Sequence, residues 1–369
     1  MKIGVPTETM VHEYRVGLVP AGVHTLVEAK HQVMVQSGAG LGSSIPDDEY
    51  VAAGAVIVPD GKTAFTESEL VVKVKVPSME EAALMQPGQV IFSYLHLAPM
   101  EELTRLLLDR GVTAVAYETV QLPDGSLPLL APMSEVAGRL SIQAGIHFLQ
   151  REHGGRGILL GGVPGVPRGK VTVIGAGTVG INAVRVAHAL GAEVDVLDIS
   201  LPRLTYLYDI FAGGIGTLVS NATNIERSIQ ESDLVIGAVL IPGARAPRLV
   251  TEGMVKRMRP GTVIVDVSVD QGGCIETIRP TTHAEPVYTL DGVIHYGVPN
   301  MPGAVPRTST FALTNTTLPY VMKLAAAPLE EAAAEDPGLR LGINTWRGQV
   351  TCPGVARAQG LLLAESPGA

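Results

Sequence analysis

The amino-acid sequence predicts an α/β protein of two doubly wound domains with mostly parallel sheets, separated by a cleft. Three observations carry that class. Short β-branched runs alternate with amphipathic helical stretches, which implies parallel strands joined by crossover connections. The 369 residues suit two domains at roughly 150 residues each. The composition, 46% apolar and 17% charged, supplies large cores and excludes intrinsic disorder.

In chain order, Lys2 to Val5 reads as a strand, Pro20 to Lys30 as a helix with Pro near its start, and Gln32 to Gln36 as a second strand. Further strands are expected at Ala55–Val58, Leu70–Val76, Val90–Leu95 and Thr113–Tyr117, with a helix from Pro99 to Asp109 before Gly111. Ser134 to His153 carries Val136, Leu140, Ile142, Ile146 and Leu149 at helical spacing and reads as a long helix joining two lobes. Val171–Ile174, Val194–Leu197, Leu234–Ile236 and Val263–Val267 are the strands of the second unit. From Thr308 the chain looks mainly helical and is expected to pack back on the first lobe. The predicted domains are therefore 1–133 with 308–369, interrupted by 134–307.

Charge narrows the partners. Lys and Arg number 27 and Asp and Glu 36, a net charge of −9, which argues against phosphate-coating surfaces and hence against nucleic-acid or anionic-membrane binding. Ala82–Met100 lacks formal charges, but Gln86, Pro87, Gly88, Gln89 and His96 interrupt it, so it reads as a loop followed by a buried strand. Two cysteines, Cys274 and Cys352, make neither a disulfide framework nor a four-cysteine metal site, and a reducing, cytoplasmic setting is the default. Histidines are scattered without metal-ligand spacing, and no nucleophile elbow or Walker loop occurs.

The strongest motif is Gly175-Ala176-Gly177-Thr178-Val179-Gly180, lying between the strand Val171–Ile174 and a helix. The first glycine permits a tight turn and the second lets a pyrophosphate approach the backbone. The third allows close helix–strand packing, and the helix N-terminus offers N–H donors to phosphate. A second strand ends on Asp198, placed to accept from the adenosine ribose hydroxyls and to repel a 2′-phosphate. The domain is thus Rossmann-like and NAD is the expected cofactor. Arg203, close behind Asp198, keeps NADP in view.

Ligands of open α/β sheets sit outside the carboxyl ends of the strands, which draws attention to further residues. Lys73 and Lys75 alternate with valines and would share one face near a strand end. They are either carboxylate or carbonyl ligands or edge-strand lysines that deter aggregation. His96 ends the run Val90–Leu95 and is either a catalyst or a hydrogen-bonded core histidine. Asp270 follows Thr262–Val267 and, taken alone, is a turn residue before glycines. Arg15, after the first strand, is either a bidentate carboxylate ligand or a solvated surface arginine.

These pieces together resemble the bacterial L-alanine dehydrogenases of the alanine dehydrogenase and transhydrogenase NAD-subunit family. The resemblance runs through Gly4–Thr9, Glu13–Val16, Lys73-Val74-Lys75, Tyr94–Ala98, Leu129–Arg139, the glycine loop, Asp266–Cys274 and Asn300–Thr310. It weakens after about Leu324. Val76 departs from the glutamate common in the family, and Pro299 from a small residue.

The resemblance implies reversible, NAD-dependent oxidative deamination of L-alanine to pyruvate and ammonium by a homohexamer. By motif it implies Arg15 and Lys75 on the carboxylate and carbonyl end of the substrate, and acid–base roles for His96 and Asp270. It implies dinucleotide contacts from Ser134, the glycine loop (Gly175, Gly177, Thr178, Val179, Gly180), Asp198, Arg203 and Ser220. Others come from the loops around Val239 and Leu240, around Val267 and Asp270, and at Asn300 and Met301. Two rivals share the fold: a transhydrogenase NAD-binding subunit, and a non-catalytic NAD sensor.

Overall fold

The structure, a computed structural model, describes residues 1–239 and 246–368. It divides into two compact units, Met1–Met133 with Val305–Ala369, and Ser134–Ala304.

The first unit opens with six strands: β1 (Lys2–Val5), β2 (Gln32–Gln36), β3 (Val56–Val58), β4 (Leu70–Val72), β5 (Val90–Ser93) and β6 (Thr113–Ala116). All pair in parallel, in the order β3-β2-β1-β4-β5-β6. β4 and β6 are buried at every position, the continuous apolar run expected of strands covered on both faces. Local signals fix the connecting helices. Pro20 begins Pro20–Glu28, the Asp60 carboxylate caps Gly61–Thr66, and Ser78 and Glu81 form a reciprocal capping box on Met79–Leu84.

The second unit contributes β7 (Lys170–Ile174), β8 (Glu193–Asp198), β9 (Gly216–Val219), β10 (Leu234–Gly237), β11 (Val263–Asp266), β12 (Val287–Leu290) and β13 (Val293–Tyr296). The order is β9-β8-β7-β10-β11-β13-β12, parallel except for β12. Successive residues feed opposite cores, as the pleat dictates. Val171, Val173, Leu234, Ile236, Val263 and Val265 pack with Ala183, Val184 and Ala187 of the helix Thr178–Ala189. Ile174, Leu197, Val235 and Ile264 pack on the other side with Ile225, Ile229 and Val255.

The chain then returns to the first unit, where β14 (Ile343–Trp346) joins β6 antiparallel and β15 (Gln349–Val350) closes the edge. The last sixty residues are therefore not simply helical.

Other elements also differ from expectation. The regular strand expected over Leu70–Val76 stops at Val72. Pro6 follows the end of β1, and beyond it the Glu8 carboxylate, not a strand, receives the N–H groups of Val74 and Lys75. β5 ends at Ser93 rather than Leu95. The long helix runs Ala131–Leu149 and is followed by a 3₁₀ turn, Arg151–His153, that ends on the left-handed Gly154. β9, β12 and β13 are additional to the expected strands.

Both sheets therefore contain the same six-strand doubly wound order, with switch points between β1 and β4 in one unit and between β7 and β10 in the other. Neighbouring connections leave opposite faces at such points and open a crevice at the strands' carboxyl ends. Among the described residues, no helix is long and apolar enough to cross a membrane.

Candidate active site

In the first unit the expected substrate residues follow the two strands of the switch point and the next strand along. Arg15 lies in the segment after β1 and is only 2% exposed, so it is no solvated surface arginine. Its Nε and Nη2 donate to Glu13 Oε1 and Oε2 at 2.7 and 2.6 Å, and Nη1 lies 3.0 Å from Met133 Sδ. Burial works against the guanidinium charge, but Glu13 outweighs it and holds Arg15 above its ordinary value. Glu13 thereby fixes the plane of the fork.

Lys73 and Lys75 separate sharply. Lys73 is fully buried, its Nζ 3.1 Å from Glu81 Oε1 and 3.5 Å from Glu8 Oε2. It follows β4, which lies between β1 and β5, so the edge-strand reading of these lysines is wrong. Lys73 is a counter-ion inside the sheet. Lys75, half-buried, has its N–H on Glu8 Oε2 at 3.3 Å, while Val74 N–H donates to Glu8 Oε1 at 2.7 Å. Burial pushes the Glu8 carboxyl up, against the attraction of Lys73 and the Val74 N–H. A buried pair of this kind needs its hydrogen bonds satisfied, and here they are spent on the backbone that carries Lys75.

His96 is not a core histidine: its side chain is 54% exposed. Its backbone is left-handed, φ 46°, a strained choice for a residue with a Cβ. Glu118 holds that turn, accepting the N–H of His96 at 2.6 Å and of Leu95 at 3.3 Å, with His96 Nδ1 3.7 Å away. The imidazole lies parallel to the Tyr94 ring, centroids 6.1 Å apart. Tyr94 is itself buried and donates to Leu129 O at 2.5 Å. Burial raises the Tyr94 hydroxyl, with the Arg15 charge opposing the rise and the Glu118 charge adding to it. Glu8, Glu13, Tyr94, Glu118 and Met133 thus support the cluster, and none was singled out from sequence. Glu8, Glu13, Tyr94 and Met133 lay inside the quoted motifs, but which acid each cation meets depends on the fold.

In the second unit most of the expected dinucleotide residues that the structure describes follow the carboxyl ends of the parallel strands. Gly175 follows β7 with φ +105°, and a Cβ there would stand 2.5 Å from Ala238 O. A Cβ on Gly180 would stand 1.8 Å from Gly175 O, whereas one on Gly177 would meet nothing within 4 Å. The first and third glycines are required by the protein's own packing, and the second is not. Thr178 is exposed at the first turn of its helix, with Val179 half-buried beside it.

Asp198 ends β8, where Oδ2 accepts the Ala176 N–H at 2.7 Å and Oδ1 the Ser200 N–H at 2.8 Å. Arg203 Nη1 is 3.9 Å from Asp198 Oδ2. Ser220, just past β9, donates its N–H to the Asp198 carbonyl at 3.0 Å. Val239, two residues past β10, donates its N–H to Ser268 Oγ at 3.0 Å. Val267 begins the 3₁₀ turn Val267–Gln271 after β11. In that turn Asp270 is exposed and borders a cavity with Ala246, Arg248, Gln271 and Gly272. Beyond β13, Asn300 is left-handed at φ 55° and Met301 is buried. Ser134 lies half-buried in the first turns of the helix Ala131–Leu149. Leu240 lies outside the described residues.

The comparisons agree with this architecture. Residues 4–137 match the family described as alanine dehydrogenase/PNT, N-terminal domain, and residues 141–353 its C-terminal domain. A relative named alanine dehydrogenase, from Methanococcus maripaludis, is 54% identical over 362 residues, covering 98% of this chain and 97% of the relative. Of solved structures, one titled L-alanine dehydrogenase superposes with a TM-score of 0.94 at 54% identity, covering 97% of this chain and 99% of that one. A transhydrogenase from Sinorhizobium meliloti superposes with a TM-score of 0.82 at 26% identity, covering 96% and 99%. With two matching domains that span nearly the whole chain and a relative this similar over its full length, the chain belongs to the alanine dehydrogenase/PNT family.

Proposed function

We propose that the protein is an NAD-dependent L-alanine dehydrogenase: L-alanine, NAD+ and water give pyruvate, ammonium, NADH and a proton. The observation that carries this reading is the cationic cluster of Arg15 and Lys75 with His96 beyond the carboxyl ends of β1, β4 and β5, in a chain 54% identical to relatives so named. Arg15, its plane fixed by Glu13, presents a bidentate fork to the substrate carboxylate. Lys75 neutralises charge at the carbonyl end. His96, exposed and parallel to Tyr94, is the proton carrier of the first unit, and Asp270 is the acid–base group of the second. Replacement of the amine by water at the α-carbon requires protons to be taken up and released, the work of such a pair.

The residues after β7 and β8 fit a dinucleotide. The open space at Gly177 admits a pyrophosphate to the backbone, and the helix Thr178–Ala189 offers its N-terminal N–H groups. Each Asp198 oxygen receives one backbone N–H and keeps capacity for a ribose hydroxyl. Arg203 sits against Asp198, so its charge is already directed at a carboxylate, which supports NAD over NADP. Ser220, Val239, Val267, Asn300, Met301 and Ser134 complete the proposed contacts. The nicotinamide, when bound, accepts the hydride from the α-carbon. A homohexamer in the cytoplasm belongs to the same reading.

The test is NADH formation followed by absorbance with a panel of amino acids. Turnover of L-alanine above the other amino acids is expected. NADH binding without turnover would favour a sensor, and reduction of a second nucleotide without an amino acid would favour a transhydrogenase subunit.

A further inference from the structure

Asp266 ends β11 with a carboxylate that is 1% exposed. Among the described residues, backbone N–H groups surround it. Oδ1 accepts the N–H of Ser268 at 2.9 Å, and Oδ2 accepts those of Cys274 at 2.8 Å and Ile275 at 3.1 Å. The Cys274 thiol is 3.8 Å from Oδ1. Room for the group is made by two glycines: a Cβ on Gly237 would lie 2.7 Å from Oδ1, and one on Gly273 2.8 Å from Oδ2. Gly272 and Gly273 are both left-handed, φ +92° and +76°, which turns the chain back toward the carboxylate.

One side chain therefore clamps both ends of the loop that carries Asp270. The clamp reaches further through Ser268, whose Oγ receives the Val239 N–H at 3.0 Å. Two loops, one after β10 and one after β11, are thus tied to a single buried anion. Hydrogen bonds to an ionised acceptor are roughly twice as strong as neutral ones, and leaving one unmade in a buried site is costly.

We propose that Asp266 is a positioning residue for this site: its carboxylate sets the register of the 267–275 loop and so aims Asp270, and through Ser268 it fixes Val239. The inference rests on the proposed role of Asp270 in proton handling. An asparagine at 266 has one acceptor and one donor on its amide, so its NH2 must face the N–H of Ser268 or those of Cys274 and Ile275. One end of the loop is then released.

The experiment compares full-length Asp266→Asn, Ser268→Ala, Ser268→Thr, Asp270→Asn and the Asp266→Asn/Asp270→Asn double variant. NADH titrated by fluorescence counts the competent sites and gives the dissociation constant; kcat and KM for L-alanine are then expressed per NADH-binding site. Asp266→Asn is expected to lower kcat per site by ~10-fold or more, with KM for alanine changed by less than ~3-fold. The double variant should lose little beyond Asp270→Asn alone, because both act through one group. Ser268→Ala should weaken NADH binding several-fold, and Ser268→Thr, which keeps the hydroxyl, should restore it. An unchanged kcat per site in Asp266→Asn, or a loss that adds in full to that of Asp270→Asn, overturns the proposal. If Asp266→Asn does not fold, the two Ser268 variants decide: equal NADH affinity in Ser268→Ala and wild type overturns it. Absence of alanine turnover in the wild type would instead refute the proposed function, while the NADH affinities would still test the clamp on Val239.

Discussion

Gly177 and Gly180 belong to one motif but answer to different constraints, and alanine at each position separates them. At Gly177 the backbone is extended, φ −76° and ψ −167°, and an added Cβ meets nothing within 4 Å. The methyl is therefore accepted by the fold. Losing glycine at an N-cap costs about 1 kcal/mol, and the lower entropy of the unfolded chain returns about 0.4–1 kcal/mol. Stability should change by less than about 1 kcal/mol, or under ~4 °C in Tm. What changes is access to the backbone. NADH affinity should fall ~10- to 100-fold, equivalent to about 1.4–2.8 kcal/mol.

At Gly180 the added Cβ would stand 1.8 Å from Gly175 O, far inside contact distance, so the helix must retreat from β7. Overpacking of that kind costs about 1–3 kcal/mol or more and should lower Tm by ~5 °C or more. Thermal melts and NADH fluorescence titrations on both variants suffice. A Gly177→Ala protein that binds NADH like wild type, or a Gly180→Ala protein that melts like wild type, would refute this division.

Lys73→Ala should destabilise the protein by about 3–5 kcal/mol in urea unfolding, because Glu8 and Glu81 are left buried without their cation. Lys75→Ala, by contrast, should melt near wild type, bind NADH and lose alanine oxidation. Asp198→Ala should narrow the preference for NAD over NADP, read as the ratio of the two kcat/KM values. Asp270→Asn and His96→Ala should each reduce turnover by ~10²-fold or more while leaving NADH titrations nearly unchanged. Burial raises the Asp266 carboxyl from 3.8 to about 6, so the folded state binds its proton more tightly than the unfolded chain. That contribution is present below pH 4 and is lost as pH rises through 6. The wild-type advantage in unfolding free energy over Asp266→Asn should thus shrink by about 2.4 kcal/mol between pH 4 and 7; a widening gap would contradict the assignment.

Much of the architecture was legible because periodicity reports which faces are covered. The continuous apolar runs of β4, β6 and β10 point to buried parallel strands, and the glycine loop identifies the first turn of the second unit. The hairpin β12–β13 also has its signal in the sequence: Asp291-Gly292 between Val287–Leu290 and Val293–Tyr296 is a strong turn signal, and both residues are left-handed, φ 51° and 79°. β15 is two residues long, too short for any period to show, and β9 (Gly216–Val219) is nowhere fully buried and begins on a glycine, so it lacks the continuous apolar run. The lysines mark a deeper limit. Val-Lys-Val-Lys alternation suggests that Lys73 and Lys75 do one job, yet Lys73 is fully buried between Glu8 and Glu81, whereas Lys75 is half-buried with its N–H on Glu8. That difference is set by Glu8, 65 positions before Lys73, and no local pattern contains it. The same holds for Glu118, 22 positions after His96, whereas Glu13 stands two residues before Arg15, inside the same motif.

The return of the chain to its first unit constrains when that unit can form. β6 has β14 as its neighbour on one side, and Thr345 Oγ1 bonds both Ala114 N–H and Val112 O. Val16, next to Arg15, donates its N–H to Thr310 Oγ1 at 3.2 Å, 294 residues further on. During synthesis, which proceeds at about 5–20 residues per second, the second unit's sequence is finished while these partners have yet to leave the ribosome. The edge of β6 and the loop bearing Arg15 stay incomplete for that interval, and an unpaired strand edge invites pairing with other chains. Truncation of the final sixty residues should therefore injure the opening of the chain more than its middle, so the fragment would retain NADH binding longer than it retains a soluble, intact N-terminal sheet.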